Sequence, residues 1–235
     1  SFLQYLCRKA PLTFATRMMQ QPTRFQLSGQ TLWLSPERCI FWEEERWLIV
    51  SDIHFGKSGH FRKAGIGIPQ TVFKEDLHRL VTQIQFFKPA QLIVVGDFFH
   101  SHINNEIKLF EKWRKDLASL PIHLVKGNHD ILETNWYNAN EIIVHETQLI
   151  NGPFAFMHEL PEEATTGAYI FTGHIHPGIH IAGLGKQSLR FPCFYFGEEH
   201  AVLPAFGRFT GLHPVRPKKK DKIFAITEER LVELQ

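Results

Sequence analysis

A chain of 235 residues, 43% hydrophobic and 13% aromatic, can bury a sizeable core, which excludes a disordered chain and leaves room for one domain or two small ones. A net charge of +2 is too small to mark the whole chain as a nucleic-acid binder. Three cysteines (Cys7, Cys39 and Cys193) with no CxxC pair argue against a disulfide framework and point to a reducing, cytoplasmic compartment. No apolar run approaches the roughly 20 residues of a membrane helix, and the short mixed segment 1–8 does not read as a signal peptide.

In chain order, residues 1–28 read as a poorly ordered N-terminal extension ahead of a single domain. Short strands are predicted at Thr31–Leu34, Arg38–Trp42 and Trp47–Ser51. A helix follows over Gln70–Phe87, with Phe73, Leu77, Leu80, Ile84 and Phe87 on one face, Pro69 at its start and Pro89 past its end. Next come a strand at Gln91–Val95 and a second helix over Asn105–Leu120, with Phe110, Trp113, Leu117 and Leu120 as its apolar stripe and Pro121 stopping it. Further strands are predicted at Ile122–Val125, Ile142–Val144, Phe154–Met157, Tyr169–Phe171, Ile179–Ile181, Ala201–Leu203 and Lys222–Ile226. Strand and helix alternate in the first half, and strands dominate the second. That order predicts an α/β protein whose central sheets are covered by helices.

Several strand ends carry chemistry: Asp52-Ile53-His54, Gly96-Asp97, Gly127-Asn128-His129-Asp130, Met157-His158 and Gly173-His174-Ile175-His176. Ligands in α/β sheets bind beyond the carboxyl ends of strands, so these sets can converge. In an extended segment residues i and i+2 share a side, so Asp52 and His54 can grip one ion. Asp97, after a glycine turn, can bridge two cations through its two oxygens. His129 and Asp130 read as a proton donor and its orienting carboxylate. Alone, each motif has a plain alternative: DxH a polar loop end, GD an ordinary turn. Together they supply two Asp, one Asn and four His as ligands, the inventory of a two-metal phosphoester-cleaving site. Oxygen and nitrogen donors without thiolate suit Mn, Fe or Zn. Two such cations would share a water and lower its pKa, giving a hydroxide for in-line attack, with His129 protonating the leaving oxygen.

Lys57, Arg62, Lys63 and Arg208 are candidate contacts to substrate phosphates, with solvated loop charge as the alternative for each. The basic run 216–222 reads equally as a backbone contact or a hairpin tip. Phe61 and Trp136 are candidates to stack on bases, with burial as the commoner fate.

The order DxH…GD…GNHD…H…GHxH resembles the calcineurin-like metallophosphoesterase superfamily. The runs Ser51–Lys57, Phe61–Ile66 with Pro69-Gln70, Gly96–Ser101 and Leu203–Gly211 resemble one branch, the ligase-associated DNA damage response endonucleases (PdeM). The likeness extends from the Leu32 strand to Phe224. It implies an αββα sandwich and two divalent metals, with manganese expected. It assigns Asp52, His54 and His176 to the first metal, Asp97 to both, and Asn128, His158 and His174 to the second. It implies a DNA phosphodiester substrate and a repair set of ligase, helicase and exonuclease. His100 stands where many phosphatases of the superfamily carry an acid. Two other functions remain open at this point: a phosphatase or diesterase for small nucleotides or other phosphoesters, and a non-catalytic scaffold.

Overall fold

The computed structural model describes residues 21–57, 71–100, 102–161, 167–182, 188–228 and 230–234. The first sheet has seven strands in sequence order: β1 (Thr23–Leu27), β2 (Gln30–Ser35), β3 (Cys39–Trp42), β4 (Trp47–Ser51), β5 (Gln91–Val95), β6 (Ile122–Val125) and β7 (Ile142–His145). Strands β1 to β4 form an antiparallel meander, and β4 to β7 run parallel. Crossover helices α1 (Thr71–Phe87), α2 (Asn105–Asp116) and α3 (Thr134–Ala139) join the parallel strands. Such strands are covered on both faces and therefore read as unbroken apolar runs, as in Trp47-Leu48-Ile49-Val50.

Alternate residues of these strands enter two cores. Leu48, Val50, Leu92, Val94, Ile122 and Leu124 pack against Phe73, Leu77, Leu80, Ile107, Phe110 and Trp113 of the helices. Ile49, Ile93, Val95 and Val125 face the second sheet, where Phe154, Phe156, Phe171, Phe194, Phe196 and Phe224 fill the space between the layers. That second sheet contains β8 (Leu149–Asn151), β9 (Phe154–Phe156), β10 (Tyr169–Thr172), β11 (Pro177–Ala182), β12 (Ser188–Phe196), β13 (His200–Val202), β14 (His213–Pro214), β15 (Lys222–Ile226) and β16 (Leu231–Glu233). Its order is β14-β11-β12-β13-β10-β9-β8, with β15 paired to β12 and to β16. The expected two-sheet α/β sandwich is thus the architecture. Among the described residues, the helices that pack on a sheet lie on the outer face of the first one.

The elements differ from expectation in identifiable ways. Thr23–Leu27, expected in a poorly ordered extension, pairs with β2 in full register and sends Phe25 onto Phe196 at 4.5 Å. Helix α2 ends at Asp116, because the Leu117 N–H turns back to Arg114 O at 3.1 Å. Strands β8, β12, β14 and β16 and helix α3 are additions to the elements read from the sequence. The predicted start of α1 at Pro69-Gln70, residues 1–20 of the extension, and Phe61, Arg62 and Lys63 all lie outside the described residues.

The loops that matter leave one edge of the sandwich. Those after β4, β5 and β6 meet those after β9 and β10 and the start of β11. The first two loops are stitched together: His54 N–H donates to Asp97 O at 2.9 Å and Phe55 N–H to Phe98 O at 2.9 Å. Segment 203–207 crosses from the second sheet to the first, donating from Leu203 N to Thr172 O, from Phe206 N to Ser51 O and from Gly207 N to Asp52 O.

Candidate metal centre

Two clusters of donor atoms sit side by side at this edge. Asp52, His54 and His176 form one; Asp97, His158 and His174 form the other; within each, the ligating atoms lie within 4.8 Å of one another. In the first, His54 Nε2 and His176 Nε2 face each other at 3.2 Å, and His176 Nε2 is 3.4 Å from Asp52 Oδ1. In the second, His158 Nε2 lies 3.1 Å from His174 Nδ1 and 3.0 Å from Asn128 Oδ1, which brings Asn128 in as a fourth member. Asp97 Oδ2 stands between the clusters, 3.9 Å from His54 Nε2 and 3.6 Å from His158 Nε2. All seven residues singled out as metal ligands from the sequence therefore come together, in the expected two groups.

The backbone detail departs from expectation. Asp52 and His54 do not lie in an extended segment; both have positive φ, 50° and 55°. So do Asp97, His174 and His176, at 47°, 66° and 51°. Half of the ten non-glycine residues with positive φ among those described are thus in these clusters. Each such residue costs on the order of 1–3 kcal/mol, and such strain collects at functional sites. The two Asp97 oxygens are placed differently: Oδ1 accepts the His129 backbone N–H at 2.9 Å, while Oδ2 faces both clusters.

Glycines let the parts approach this closely. A Cβ on Gly96 would strike the His158 ring, one on Gly127 would strike the Asp97 carboxylate, and one on Gly173 would strike Ser51 and Asp52. A Cβ on Gly207 would come within 2.6 Å of Ile53 O. Asp52 is fully buried, yet held as a carboxylate should be: Ser51 Oγ donates to it, and the His174 N–H donates to it at 3.0 Å. Burial, then the nearby Lys57 ammonium and His176, holds the His54 imidazole far below its usual pKa. It stays neutral, as a metal ligand must. Its Nδ1 faces His100 Nδ1 at 3.3 Å, leaving Nε2 for a cation. Burial pushes the Asp97 pKa up, and His158 opposes the shift. Converging imidazole nitrogens and carboxylate oxygens in so small a volume suit divalent cations, so the donor set fits the metals the sequence implies.

His129 and Asp130 occupy different environments. The His129 ring lies against His100, with centroids 4.1 Å apart, at the edge of the first cluster. Asp130 does not orient it. Asp130 is 1% exposed, and its oxygens accept from Phe99 N and Gly127 N, each at 2.9 Å. It ties the loop after β5 to the loop after β6. Burial pushes its pKa up to about 7 against the pull of those donors. The rings beside His129 are those of His54 and His100, and His100 stands out in the sequence only as a departure from other phosphatases. Glu106 is a further residue of the site that sequence reasoning does not reach. It is buried and accepts the Gly56 N–H at 3.0 Å, fixing the loop that carries His54; nothing in its sequence context distinguishes it from an ordinary helix acid.

Of the candidate phosphate contacts, Lys57 lies beside the centre, close enough for Asp97 and Asp52 to act on its ammonium. Arg208 lies further along, 3.7 Å from Glu37, and its backbone N–H donates to Asp76 at 3.2 Å. Trp136 is half-buried: it packs edge-on against Phe99 at 4.9 Å and donates from Nε1 to Glu111 at 2.8 Å. The basic run folds into a turn on Asp221, with Lys220 paired to Glu198 and Lys222 to Glu233. No helix among the described residues is long and apolar enough to cross a membrane.

A family model described as calcineurin-like phosphoesterase matches residues 46–200, more than half of the chain and all of the ligand clusters. Among solved structures, the nuclease MPE of Pseudomonas putida is similar at a TM-score of 0.76 and 28% identity, covering 90% of this chain and 100% of its own. The phosphoesterase Yfce of E. coli is similar at a TM-score of 0.42 and 13% identity, covering 80% of this chain and 97% of its own. No curated protein matches by sequence. The chain belongs to the calcineurin-like phosphoesterase family and is a hydrolase.

Proposed function

We propose that this hydrolase is a two-metal phosphodiesterase and endonuclease that cuts DNA, and that it works in DNA repair. The observation that carries the two-metal reading is the single Asp97 Oδ2 placed between two groups of Asp and His donors. The similarity to a Pseudomonas putida nuclease and the branch-specific runs support the substrate and the repair role. In this reading Asp52, His54 and His176 hold one metal, Asn128, His158 and His174 the other, and Asp97 both. Manganese is the expected metal, and residues 1–235 act as one domain.

Two bound cations would supply charge to neutralise phosphate oxygens and acidify a water at neutral pH. The chain's own residues do the rest. Asp97 spaces the two sites. His100 braces His54 at Nδ1 and lies against His129. His129, next to Asn128 in the chain, is placed to protonate the leaving oxygen. Asp130 fixes the turn that carries both by holding Gly127. Lys57, Arg208, Arg62 and Lys63 are assigned to phosphates that flank the reaction.

A substrate panel tests this reading: an aryl phosphodiester, an aryl monoester, cyclic nucleotides, and single- and double-stranded DNA, with Mn present and after chelation. Diester and DNA cleavage that vanishes on chelation and returns best with Mn is expected. Full activity at a verified metal content of zero would overturn the metal assignment. Turnover confined to monoesters or cyclic nucleotides would instead establish a small-phosphoester enzyme.

A further inference from the structure

A groove of about 780 Å³ has Arg38, Arg79, Arg190, Arg208, Glu37 and Glu228 as its charged lining. Its arginines divide into two kinds. Arg79 is 4% exposed and fully engaged: it pairs with Glu37 and Asp76, each at 2.7 Å, and donates to Phe206 O at 3.0 Å. Arg208 leans on the same Glu37. These contacts pin segment 205–208. Arg38 and Arg190, by contrast, have no carboxylate within ion-pair range among the described residues. Among the described residues the Arg38 guanidinium donates to the Ala205 and Gly207 carbonyls, at 3.1 and 3.3 Å. Arg190, exposed, donates to His180 Nε2 at 3.0 Å and to Leu212 O at 3.2 Å. Burial and the charges of Arg79 and Arg208 outweigh the pull of Asp76 and Glu37 and bring the Arg38 pKa down to about 10, so it remains a cation at neutral pH whose charge is only partly offset. A bound anion relieves that cost.

The groove's position says which anion. Arg38 closes the turn before β3 and donates to Gly207 O, in the segment that lies on the loop after β4. Its carbonyl partner Gly207 donates through its own N–H to Asp52 O at 3.1 Å. On the other side, β11 starts directly after His176 and carries His180 opposite Arg190. Four residues of strand put Arg190 roughly 13 Å from the ligand end, a span of a few phosphates on a nucleic-acid strand.

We propose that the Arg38–Arg190 groove is a second phosphate-binding subsite, which holds the sugar-phosphate backbone of a nucleic-acid strand on one side of the bond that is cut. The proposal rests on the nucleic-acid reading of the metal centre. The test measures binding of a fluorescent single-stranded oligonucleotide to the full chain by anisotropy, across a salt series, with chelator present so that no strand is cut. Each lost phosphate contact on a single strand lowers the slope of log affinity against log salt by about 0.7. Arg190→Ala and Arg38→Ala should each lower the slope by about that amount, and the pair by about 1.4. Melting curves check that Arg38→Ala folds; where it does not, Arg190→Glu decides alone, with weaker binding expected. Lys219→Ala with Lys220→Ala serves as the comparison. A slope unchanged in the arginine variants, or lowered only in the lysine pair, overturns the groove. Loss of metal-dependent diester hydrolysis from the wild-type enzyme would sink the reading of the centre instead, so the two failures are separable.

Discussion

Gly96→Ala tests how far the centre depends on its close packing. Gly96 has φ +76°, and a Cβ there would land on the His158 imidazole. Two costs follow. The left-handed conformation disfavours any side chain by about 1–2 kcal/mol. The ring must also swing away, taking Nε2 from its places 3.0 Å from Asn128 Oδ1 and 3.6 Å from Asp97 Oδ2. Gly29 supplies the control: it has the same φ of +76°, and a Cβ there would meet nothing within 4 Å. Gly29→Ala should therefore show the backbone cost alone, a fall in melting temperature of roughly 2–8 °C at about 2–4 °C per kcal/mol for a chain of this size. It should keep full metal content. Gly96→Ala should show that loss and in addition a drop of about 10- to 100-fold in affinity for one of two metals, the scale seen when groups that orient a ligand are lost. Metal titration with elemental analysis reads the stoichiometry, and thermal melting reads the backbone cost. If Gly96→Ala binds both metals as tightly as Gly29→Ala does, the His158 ring is not held in place by that glycine and the reasoning fails.

Asp97→Asn should weaken both metals, whereas His176→Ala should weaken chiefly one; metal content and activity that fall no further for Asp97→Asn than for the remote His78→Ala would refute the bridge. His129→Ala should keep most of its metal and lose about 10²–10⁴-fold in rate on an ester with a poor leaving group, but far less on a p-nitrophenyl ester, whose phenolate needs little protonation. Metal loss in step with activity would make His129 a ligand, and wild-type rates on both esters would remove it from the chemistry. Asp130→Asn keeps the shape but turns one acceptor into a donor facing a backbone N–H, either Phe99 or Gly127. A destabilisation of about 1–3 kcal/mol is expected from the orphaned buried donor, read as a lower melting temperature, and an unchanged melting temperature would contradict the tie between the two loops.

The first sheet is legible in the sequence because its parallel strands are apolar throughout and separated by helices with a clear 3.6-residue period. Strands β4, β5, β6 and β15 have the bounds the sequence predicts, each set by a polar or turn residue at its ends. The second sheet is less legible. Strand β12, nine residues long, contains Pro192 and a basic Arg190, so neither alternation nor an apolar run marks it. Strands β14 and β16 are two and three residues long and exposed or half-buried, too short to impose a pattern. At the centre, ligand identity can be read because metal chemistry restricts residue type and order. Backbone conformation cannot: left-handed Asp and His residues leave no local signature, since the surrounding contacts, not the propensity of the residue, hold them there.

The difference between Asp97 and Asp130 shows why motif reading stops where it does. Both are buried acids that follow glycine-containing turns, at 2% and 1% exposure. Each accepts backbone N–H groups from a neighbouring loop. Asp97 accepts His129 N on one oxygen and turns the other to the two clusters. Asp130 has a backbone N–H on each oxygen, from Phe99 and Gly127. An oxygen turned to imidazole nitrogens therefore separates a residue placed to meet cations from one that fixes the loop beneath it. Adjacency in sequence puts Asp130 beside His129 and makes it look like a partner; the groups its two oxygens face give it to the backbone. The same comparison separates Arg79, which donates to Glu37, Asp76 and Phe206 O, from Arg38, whose guanidinium donates to carbonyls. In both pairs the residue type is constant and the groups each side chain faces decide the role.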